Sequence, residues 1–568
     1  MRRGTRLPTR PAIPLTTVVR IAVVATLAAP HGLDAQNARQ SARSEAGMVS
    51  TAHPLATEAG VRMLELGGNA ADAAVAAGFA IAVVEPTMNS IGGRNQILVR
   101  RADGTFHGID GTTQAPWDYD PATAPQAGYG YAVIGIPGVV DGLLKLHGDH
   151  GSLPLETVMG PAVDYAANGY RILPADAARL ASGVDEALEF PATAAIYYRP
   201  DGAPYHAGDL LRQPDYARTL RSIMKGGREI FYEGPIAQAM AADFAANGSV
   251  VTLEAISRYE AEDARIVRGS YRGYELVGMD IPAAGALTIE ALQIMERFDP
   301  KSMSEAEWFA VVGQALSIAA PELGSLGTDS AAARVTSKEW ATRMAREVAA
   351  PAGSAVGTGG PGSAAVPGPV GVSAPAATPD EQGHTTHLSA ADANGMVVSL
   401  TQTLGPNMGS KVVTPGLGFL YASTLGGYLS SIEAGVRARS NISPFMVQRD
   451  GQVVLVLGAA GGAMIPPAVV HAVTRVVDFG MTLPQALEAP RVAFGRGGYT
   501  AETTPDVGWS EAQLAEMRGL GIEVIETPRA GSFGRVHGIQ YDPATGTWIG
   551  AADPDWEGSA RGPDRNRQ

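Results

Sequence analysis

Apolar residues in the first part of the chain follow the spacing of buried helices. The pattern predicts one helix over 58–66, ended by two glycines, and a second over 70–84. Asn69 is suited to cap the second helix, and Asp72 suits its first turn. Because the second helix is apolar on all sides, we expect it to be buried.

Alternating apolar and polar positions predict strands, most clearly after residue 384. Strands at 385–392 and 396–403 flank Asn394-Gly395, which is a strong hairpin turn. Further strands are predicted at 97–101, 105–110, 274–278 and 453–458, with a hairpin around 544–546. Helical spacing of apolar residues predicts helices at 233–246, 287–298 and 466–479. This mixture predicts an α/β layered core.

The N-terminal segment has the layout of a secretory signal peptide. Arginines precede an apolar run at 21–29, and a small-residue cleavage site follows at 33–35. The run is shorter than the ~20 residues that span a bilayer, although an uncleaved N-terminal anchor is an alternative. We therefore expect a signal peptide at 1–35 and a periplasmic or secreted product without a membrane span after its removal.

A second biased segment divides the rest of the chain. Residues 349–384 are rich in Ala, Gly, Pro and Ser and have no periodicity, which is typical of a linker. This linker separates a large region, 36–348, from a smaller one, 385–568.

Composition excludes several kinds of chemistry. The formal net charge of −14 argues against nucleic acid or an anionic membrane as the main partner. The chain has no cysteine, which excludes disulfides, thiolate nucleophiles and cysteine-based zinc sites. His147 and His150 have a metal-like spacing, but we expect both to be exposed at a helix end, so no metal is predicted there.

Thr385 is a candidate nucleophile because it follows the linker and begins a predicted strand. Its hydroxyl can attack the carbonyl of His384, shift the peptide to an ester and so free a new N-terminus. The freed α-amine has a reference pKa of about 7.7–8.0 and can act as the base for its own hydroxyl. The alternative is an ordinary threonine-rich strand.

The order of several short motifs resembles the γ-glutamyltransferase family over nearly the whole chain after the signal. The matching segments are 53–56, 67–74, 84–86, 91–93, 136–138, 271–274, 385–387, 440–444, 461–462 and 551–554. The resemblance implies an N-terminal-nucleophile hydrolase with an αββα four-layer sandwich, formed by two associated fragments of one precursor. It implies no cofactor, and a small-molecule amide or peptide as substrate.

Carried over by position, the resemblance makes Thr385 the nucleophile and Thr403 its hydrogen-bonding partner. It gives Gly461 and Gly462 the backbone N–H groups of the oxyanion hole, a task that suits glycine because the donors approach closely. The alternative for the glycine pair is a plain turn after a strand.

The match fails where the family binds the glutamyl group. Thr112 stands at the position of the arginine that holds the α-carboxylate, and Gly427 stands where the family has an acidic residue for the ammonium. Gly405 replaces an asparagine of the family. In the family's serine pair, Ser440 is kept and Asn441 replaces the second serine, and both remain candidate substrate contacts.

Arg94 is a candidate replacement for the lost arginine, because the family continues with glycine at this point. The alternative is a structural or surface arginine. Three functions stay open: a γ-glutamyl hydrolase or transferase with a rebuilt clamp, a diverged amidase or acylase, and a non-enzymatic descendant of the fold.

Overall fold

The structure, a computed structural model, describes Met1, Leu429 and residues 40–324, 326–348, 384–426, 432–495, 498–505, 507–522, 524–529 and 532–564. Residues 2–35 of the expected signal peptide (1–35), the linker up to residue 383 and Gly427 lie outside the described residues. Within the described part, no helix is both long and apolar enough to cross a membrane.

The strands supply the two inner layers and two smaller sheets. They are β1 Ser41–Ser44, β2 Gly47–Thr51, β3 Arg94–Arg100, β4 Phe106–Gly111, β5 Tyr170–Arg171, β6 Leu210–Leu211, β7 Glu262–Ala264, β8 Ile266–Tyr271, β9 Tyr274–Met279, β10 His384–Asp392, β11 Val397–Gly405, β12 Phe445–Arg449, β13 Gln452–Leu457, β14 Ala459–Ala460, β15 Val492–Gly495, β16 Gly498–Glu502, β17 Val524–Thr527, β18 Arg535–Asp542, β19 Thr547–Ala552 and β20 Ser559–Arg561.

Helices supply the two outer layers. They are α1 Pro54–Glu65, α2 Ala70–Val84, α3 Val139–His150, α4 Leu155–Asn168, α5 Pro174–Ser182, α6 Val184–Ala187, α7 Pro191–Tyr197, α8 Pro214–Tyr232, α9 Pro235–Ala246, α10 Leu253–Ser257, α11 Gly285–Met295, α12 Glu305–Ala319, α13 Asp329–Val335, α14 Lys338–Met344, α15 Ile465–Val477, α16 Leu483–Glu488 and α17 Glu511–Gly519.

The strands form two large sheets. The first has the order β20-β2-β10-β11-β3-β4-β7, and the second has the order β1-β19-β18-β13-β12-β9-β8, with β14 also paired to β18. Apolar side chains from both sheets, such as Leu98 and Met446, share one buried cluster between them. Helices including α1 and α2 pack on the outside of the first sheet, and α11 and α15 pack on the second. The predicted αββα sandwich is confirmed.

Helix α2 shows why the local predictions succeeded. Asn69 caps it through a reciprocal capping box with Asp72, whose carboxylate also accepts the N–H groups of Ser152 and Leu153. Every residue of the helix is buried, as its apolar sequence predicts. This helix packs against β10 and β11, and so supports the two central strands of the first sheet from behind.

Both sheets interleave strands from the two sides of residue 384. In the first sheet β10 pairs with β2 and β11 pairs with β3, while in the second sheet β12 pairs with β9. All these pairings are antiparallel ladders of backbone hydrogen bonds. A chain break before Thr385 would therefore leave two fragments joined through both sheets.

Candidate active site

Thr385 is the second residue of β10, where the pairing of β10 with β11 is irregular. His384 lies opposite Gly405 and Thr386 opposite Gln402, so one residue of β10 faces two of β11. Such bulges often lie beside active sites because they redirect a side chain. Gly405 has a φ of 94°, a left-handed conformation that favours glycine. The Thr385 side chain here is buried.

The hydroxyl of Thr403 connects the candidate nucleophile with the bond that it would attack. The Thr385 hydroxyl donates to Thr403 Oγ1 at 3.1 Å, and Thr403 in turn donates to the His384 carbonyl oxygen at 2.5 Å. The N–H of Gly405 donates to Thr403 Oγ1 at 2.9 Å and fixes its position. One side chain thus orients the hydroxyl and polarises the carbonyl.

Gly461 and Gly462 follow β14, which packs beside β10. Their φ angles are 134° and 54°, so both lie in the region that favours glycine. A β-carbon on Gly461 would lie 2.9 Å from the Cα atom of Gly534. A 3₁₀ turn at Gly462–Met464 leads directly into α15, so the pair stands at the positive N-terminal end of a helix. This backbone is suited to hold negative charge.

Arg94 begins β3 and is paired across the strands with Thr403. Directly paired residues of antiparallel strands project from the same face of a sheet, so the side chains of Arg94 and Thr403 leave their strands on one face. The side chain is only 1% exposed, which rules out a surface arginine. Arg94 Nη1 lies 3.5 Å from the hydroxyl of Thr113, which also accepts from Thr424 Oγ1 at 3.0 Å.

Thr112 is held in a buried polar network. Its hydroxyl accepts from Gln96 Nε2 at 2.6 Å, and its N–H donates to Asp110 Oδ1 at 2.8 Å. Arg437 lies 3.4 Å from the other carboxylate oxygen of Asp110. Thr112, which stands at the position of the family's arginine, is therefore a small residue whose hydroxyl and N–H are hydrogen-bonded to Gln96 and Asp110.

Ser440 and Asn441 lie in the segment that leads into β12, and both are partly buried. The Ser440 N–H donates to the Pro282 carbonyl at 2.9 Å, and its hydroxyl accepts the N–H of Ile442 at 3.4 Å. The contacts that fix Ser440 are thus with the backbone around it.

Glu85 is a buried carboxyl group beside Thr386 of β10. Burial raises the pKa of Glu85 to about 7, and the guanidinium of Arg179 opposes that rise. Arg179 Nη2 lies 3.8 Å from Glu85 Oε1. The sequence contained Glu85 in a matching motif, but nothing local indicated that Arg179 would meet it.

The expectation that His147 and His150 are exposed was wrong, since both are partly buried. His147 Nε2 contacts the carbonyl oxygen of Leu153 at 2.8 Å. His150 instead meets His107, with 2.8 Å between their facing ring nitrogens. The two histidines of this helix end therefore have different surroundings.

Two facing sheets between helical layers, with a threonine at the start of a central strand and a glycine turn beside it, define the class of N-terminal-nucleophile hydrolases. The family model described as Gamma-glutamyltranspeptidase matches residues 56–562, and the chain belongs to that family. The predicted function, a self-processing enzyme acting on amide bonds as a hydrolase or acyltransferase, is confirmed at the level of the family.

Relatives of two kinds are similar to the chain along most of its length. An acylase ACY 1 proenzyme from Pseudomonas sp. strain V22 is 31% identical, over 92% of this chain and 94% of its own. A glutathione hydrolase proenzyme from Escherichia coli K12 is 29% identical, over 90% and 91%. The solved structure of cephalosporin acylase from Bacillus halodurans superimposes with a TM-score of 0.81 at 25% identity, over 93% of this chain and 97% of that one.

Proposed function

We propose that this protein is a self-processing acylase. It cleaves its own chain between His384 and Thr385, and Thr385 then attacks the amide bond of a small-molecule or peptide substrate. The observation that carries the proposal is the position of Thr403, whose hydroxyl joins the Thr385 hydroxyl and the His384 carbonyl in one hydrogen-bonded chain.

Self-cleavage begins when Thr385 Oγ1 attacks the carbonyl carbon of His384. The charge that develops on the carbonyl oxygen is stabilised by the Thr403 hydroxyl, which already donates to it. The C–N bond then breaks, the nitrogen gains the proton lost by the hydroxyl, and the two residues are joined by an ester. Water hydrolyses this ester to the carboxylate of His384 and the free hydroxyl of Thr385.

Substrate hydrolysis uses the same hydroxyl with a new base. The freed α-amine of Thr385 takes the proton as the hydroxyl attacks the substrate carbonyl, because this amine is partly unprotonated near neutral pH. The N–H groups of Gly461 and Gly462 stabilise the oxyanion. The amine product leaves with that proton, and water or an acceptor amine releases the acyl group from Thr385.

The substrate proposed is an amide whose acyl group carries a carboxylate but no neighbouring ammonium. Arg94 is a buried cation on the same face as Thr403, and a guanidinium binds a carboxylate well. Thr112 gives no positive charge at the family's arginine position, and its hydroxyl is committed to Gln96. Ser440 and Asn441 remain proposed substrate contacts at the entrance to β12.

A γ-glutamyl hydrolase or transferase is the second candidate, and the similarity to the Escherichia coli glutathione hydrolase proenzyme favours it. Hydrolysis of a γ-glutamyl group would need an acidic partner for its ammonium. A non-enzymatic role is disfavoured, because the relatives are named as acylase and glutathione hydrolase proenzymes and the proposed catalytic residues are retained.

The proposed maturation divides the chain into three parts. Residues 1–35 direct export to the periplasm or the medium, 36–384 form the large fragment with the linker at its end, and 385–568 form the small catalytic fragment. The interleaved strands of both sheets support lasting association of the two fragments after cleavage.

Intact mass measurement and N-terminal sequencing test the cleavage site directly. We expect a fragment that begins at Thr385 from the unchanged protein and from Thr386→Ala, and a single chain from Thr385→Ala. Thr386 is the matched control because it is the adjacent buried threonine of the same strand. Cleavage in Thr385→Ala, or a stable single chain from the unchanged protein, would overturn the proposal.

Anilides of three related acyl groups test the substrate. The glutaryl group is γ-glutamyl without its amine, and the butyryl group lacks the carboxylate as well. We expect the cleaved enzyme to hydrolyse the glutaryl anilide with the highest kcat/KM. A higher kcat/KM for the γ-glutamyl anilide would favour the second candidate. Equal kcat/KM values for all three anilides would show that Arg94 does not bind the carboxylate of the substrate.

A further inference from the structure

A cluster of metal-binding side chains lies away from Thr385, where the end of α3 meets β4. His107, Asp149 and His150 each offer one ligand atom, and these atoms all lie within 4.8 Å of one another. The two imidazole rings meet edge to face, with 5.0 Å between their centroids and an interplanar angle of 69°. His107 Nδ1 and His150 Nε2 are 2.8 Å apart.

His107 is oriented as metal-binding histidines commonly are. Its other ring nitrogen, Nε2, lies 2.9 Å from Asp263 Oδ1, and a carboxylate in this position accepts the Nε2 proton. Nδ1 then offers a lone pair toward His150. Carboxylate–histidine pairs of this kind fix the tautomer and ring orientation at metal centres.

His150 is fixed by the backbone around it. It is the last residue of α3, and its carbonyl accepts from the side chain of Asn69 at 2.7 Å. His107 lies in β4, which pairs with β7 so that Asp263 is opposite Ile109. The cluster therefore joins a helix end, a strand and the edge strand of the first sheet.

We propose that His107 Nδ1, His150 Nε2 and a carboxylate oxygen of Asp149 bind a zinc ion, with water as the fourth ligand. Imidazole and carboxylate are ligands that Zn²⁺ accepts in a tetrahedral site with one open position. At Zn–N bonds of about 2.0–2.1 Å, tetrahedral ligands stand about 3.3 Å apart. The two ring nitrogens, now 2.8 Å apart, would separate by about 0.5 Å, and the Asp149 oxygen already lies within 4.8 Å of both. The ion takes the place of the proton now shared by the two rings.

Lys145 is a cation that pairs with two carboxylates of this cluster and its surroundings. Its ammonium lies 3.1 Å from Asp149 and 2.9 Å from Asp263, and the side chain is partly exposed. Zinc would displace it from Asp149, and its long stem allows the ammonium to move into solvent. Lys145 is therefore a competitor of the ion, which makes it a useful variant.

Zinc titration of the metal-free, tag-free protein tests the site, with competition against a chromophoric chelator as the readout. We expect one zinc per chain and a rise in Tm of about 3 °C or more at saturation. His150→Gln and His107→Gln should each lower the affinity at least 100-fold. Asp263→Asn, which removes the carboxylate behind His107, should lower it about 10-fold.

His147→Gln is the matched control, because His147 lies on the same helix but contacts the Leu153 carbonyl. It should bind zinc with unchanged affinity even where its own Tm is lower, and Lys145→Met should bind zinc more tightly than the unchanged protein. Unchanged affinity in His150→Gln, provided that its circular dichroism shows a folded chain, would overturn the proposal. The absence of stoichiometric binding in the unchanged protein would overturn it as well.

Discussion

The Thr403 hydroxyl donates to the carbonyl oxygen of His384 across 2.5 Å. The same oxygen of Thr403 accepts the hydroxyl of Thr385 and the N–H of Gly405. A single side chain thus contacts both the proposed nucleophile and the peptide bond that it would cleave. Removal of this hydroxyl should therefore lower the rate of self-cleavage, the step that must precede turnover of any substrate.

Thr403→Val is expected to slow self-cleavage by about 100-fold or more, because the loss of one oxyanion donor commonly costs that much. Valine keeps the shape of threonine but neither donates nor accepts. Appearance of the small fragment from purified precursor, followed on a denaturing gel, measures the rate. Thr403→Ser is the control and should cleave within about 10-fold of the unchanged protein. Equal rates for the valine and unchanged proteins would remove Thr403 from the mechanism.

Gly461→Ala is expected to lower kcat by about 100-fold or more, since the proposed oxyanion hole depends on a backbone with a φ of 134°. The new β-carbon would also lie close to Gly534. Gly480→Ala is the control, because Gly480 has a φ of 66° and open space around it. The free energy of unfolding of the control should fall by about 1–2 kcal/mol, while its kcat stays unchanged. An equal loss of kcat in both variants would mean that backbone strain alone lowers kcat, and would contradict a specific role of Gly461 in the oxyanion hole.

Arg94→Met is expected to raise the KM for a glutaryl anilide by about 10-fold or more, because the carboxylate loses a charged partner. The neutral butyryl anilide should be hydrolysed with a KM within about 2-fold of that of the unchanged enzyme. Steady-state kinetics on the two substrates separates binding from folding effects. A parallel loss on both anilides would show that Arg94 supports the strands rather than the substrate.

The parts of the fold that local sequence controls were predicted well. Helix α2 was expected over 70–84 and spans Ala70–Val84, because its apolar composition and its cap at Asn69 are local properties. The β10–β11 hairpin followed from Asn394-Gly395 in the same way. The αββα arrangement itself came from the resemblance, since periodicity indicated only a layered α/β core.

The parts that depend on distant strands could not be predicted. Strand β3 begins at Arg94, earlier than the expected residue 97, and the burial of Arg94 follows from its pairing with Thr403 far along the chain. The bulge at Thr385 depends on the register of two strands. His107 and His150 meet only because α3 packs on β4.

Glu85 should give the protein a distinct dependence of stability on pH. Burial raises its pKa in the folded protein to about 7, whereas the unfolded chain has the ordinary value of 4.5. Below pH 4.5 both states hold the proton, so the contribution of Glu85 is fully present. Between pH 4.5 and 7 only the unfolded state loses the proton, so this contribution falls as pH rises. Above pH 7 the loss is complete.

Glu85→Gln should remove this loss, because glutamine keeps the shape and has no charge to bury. The free energy of unfolding of the variant, relative to that of the parent, should rise by roughly 1–3 kcal/mol between pH 4.5 and 8. Urea unfolding at a series of pH values measures it, with Thr385→Ala as the parent so that a single uncleaved chain unfolds. The contributions of titrating groups that do not interact with Glu85 cancel in the difference between variant and parent. Parallel curves of unfolding free energy against pH for variant and parent would contradict this prediction. They would mean that Arg179 offsets the effect of burial on the pKa of Glu85 and that Glu85 is ionised in the folded protein.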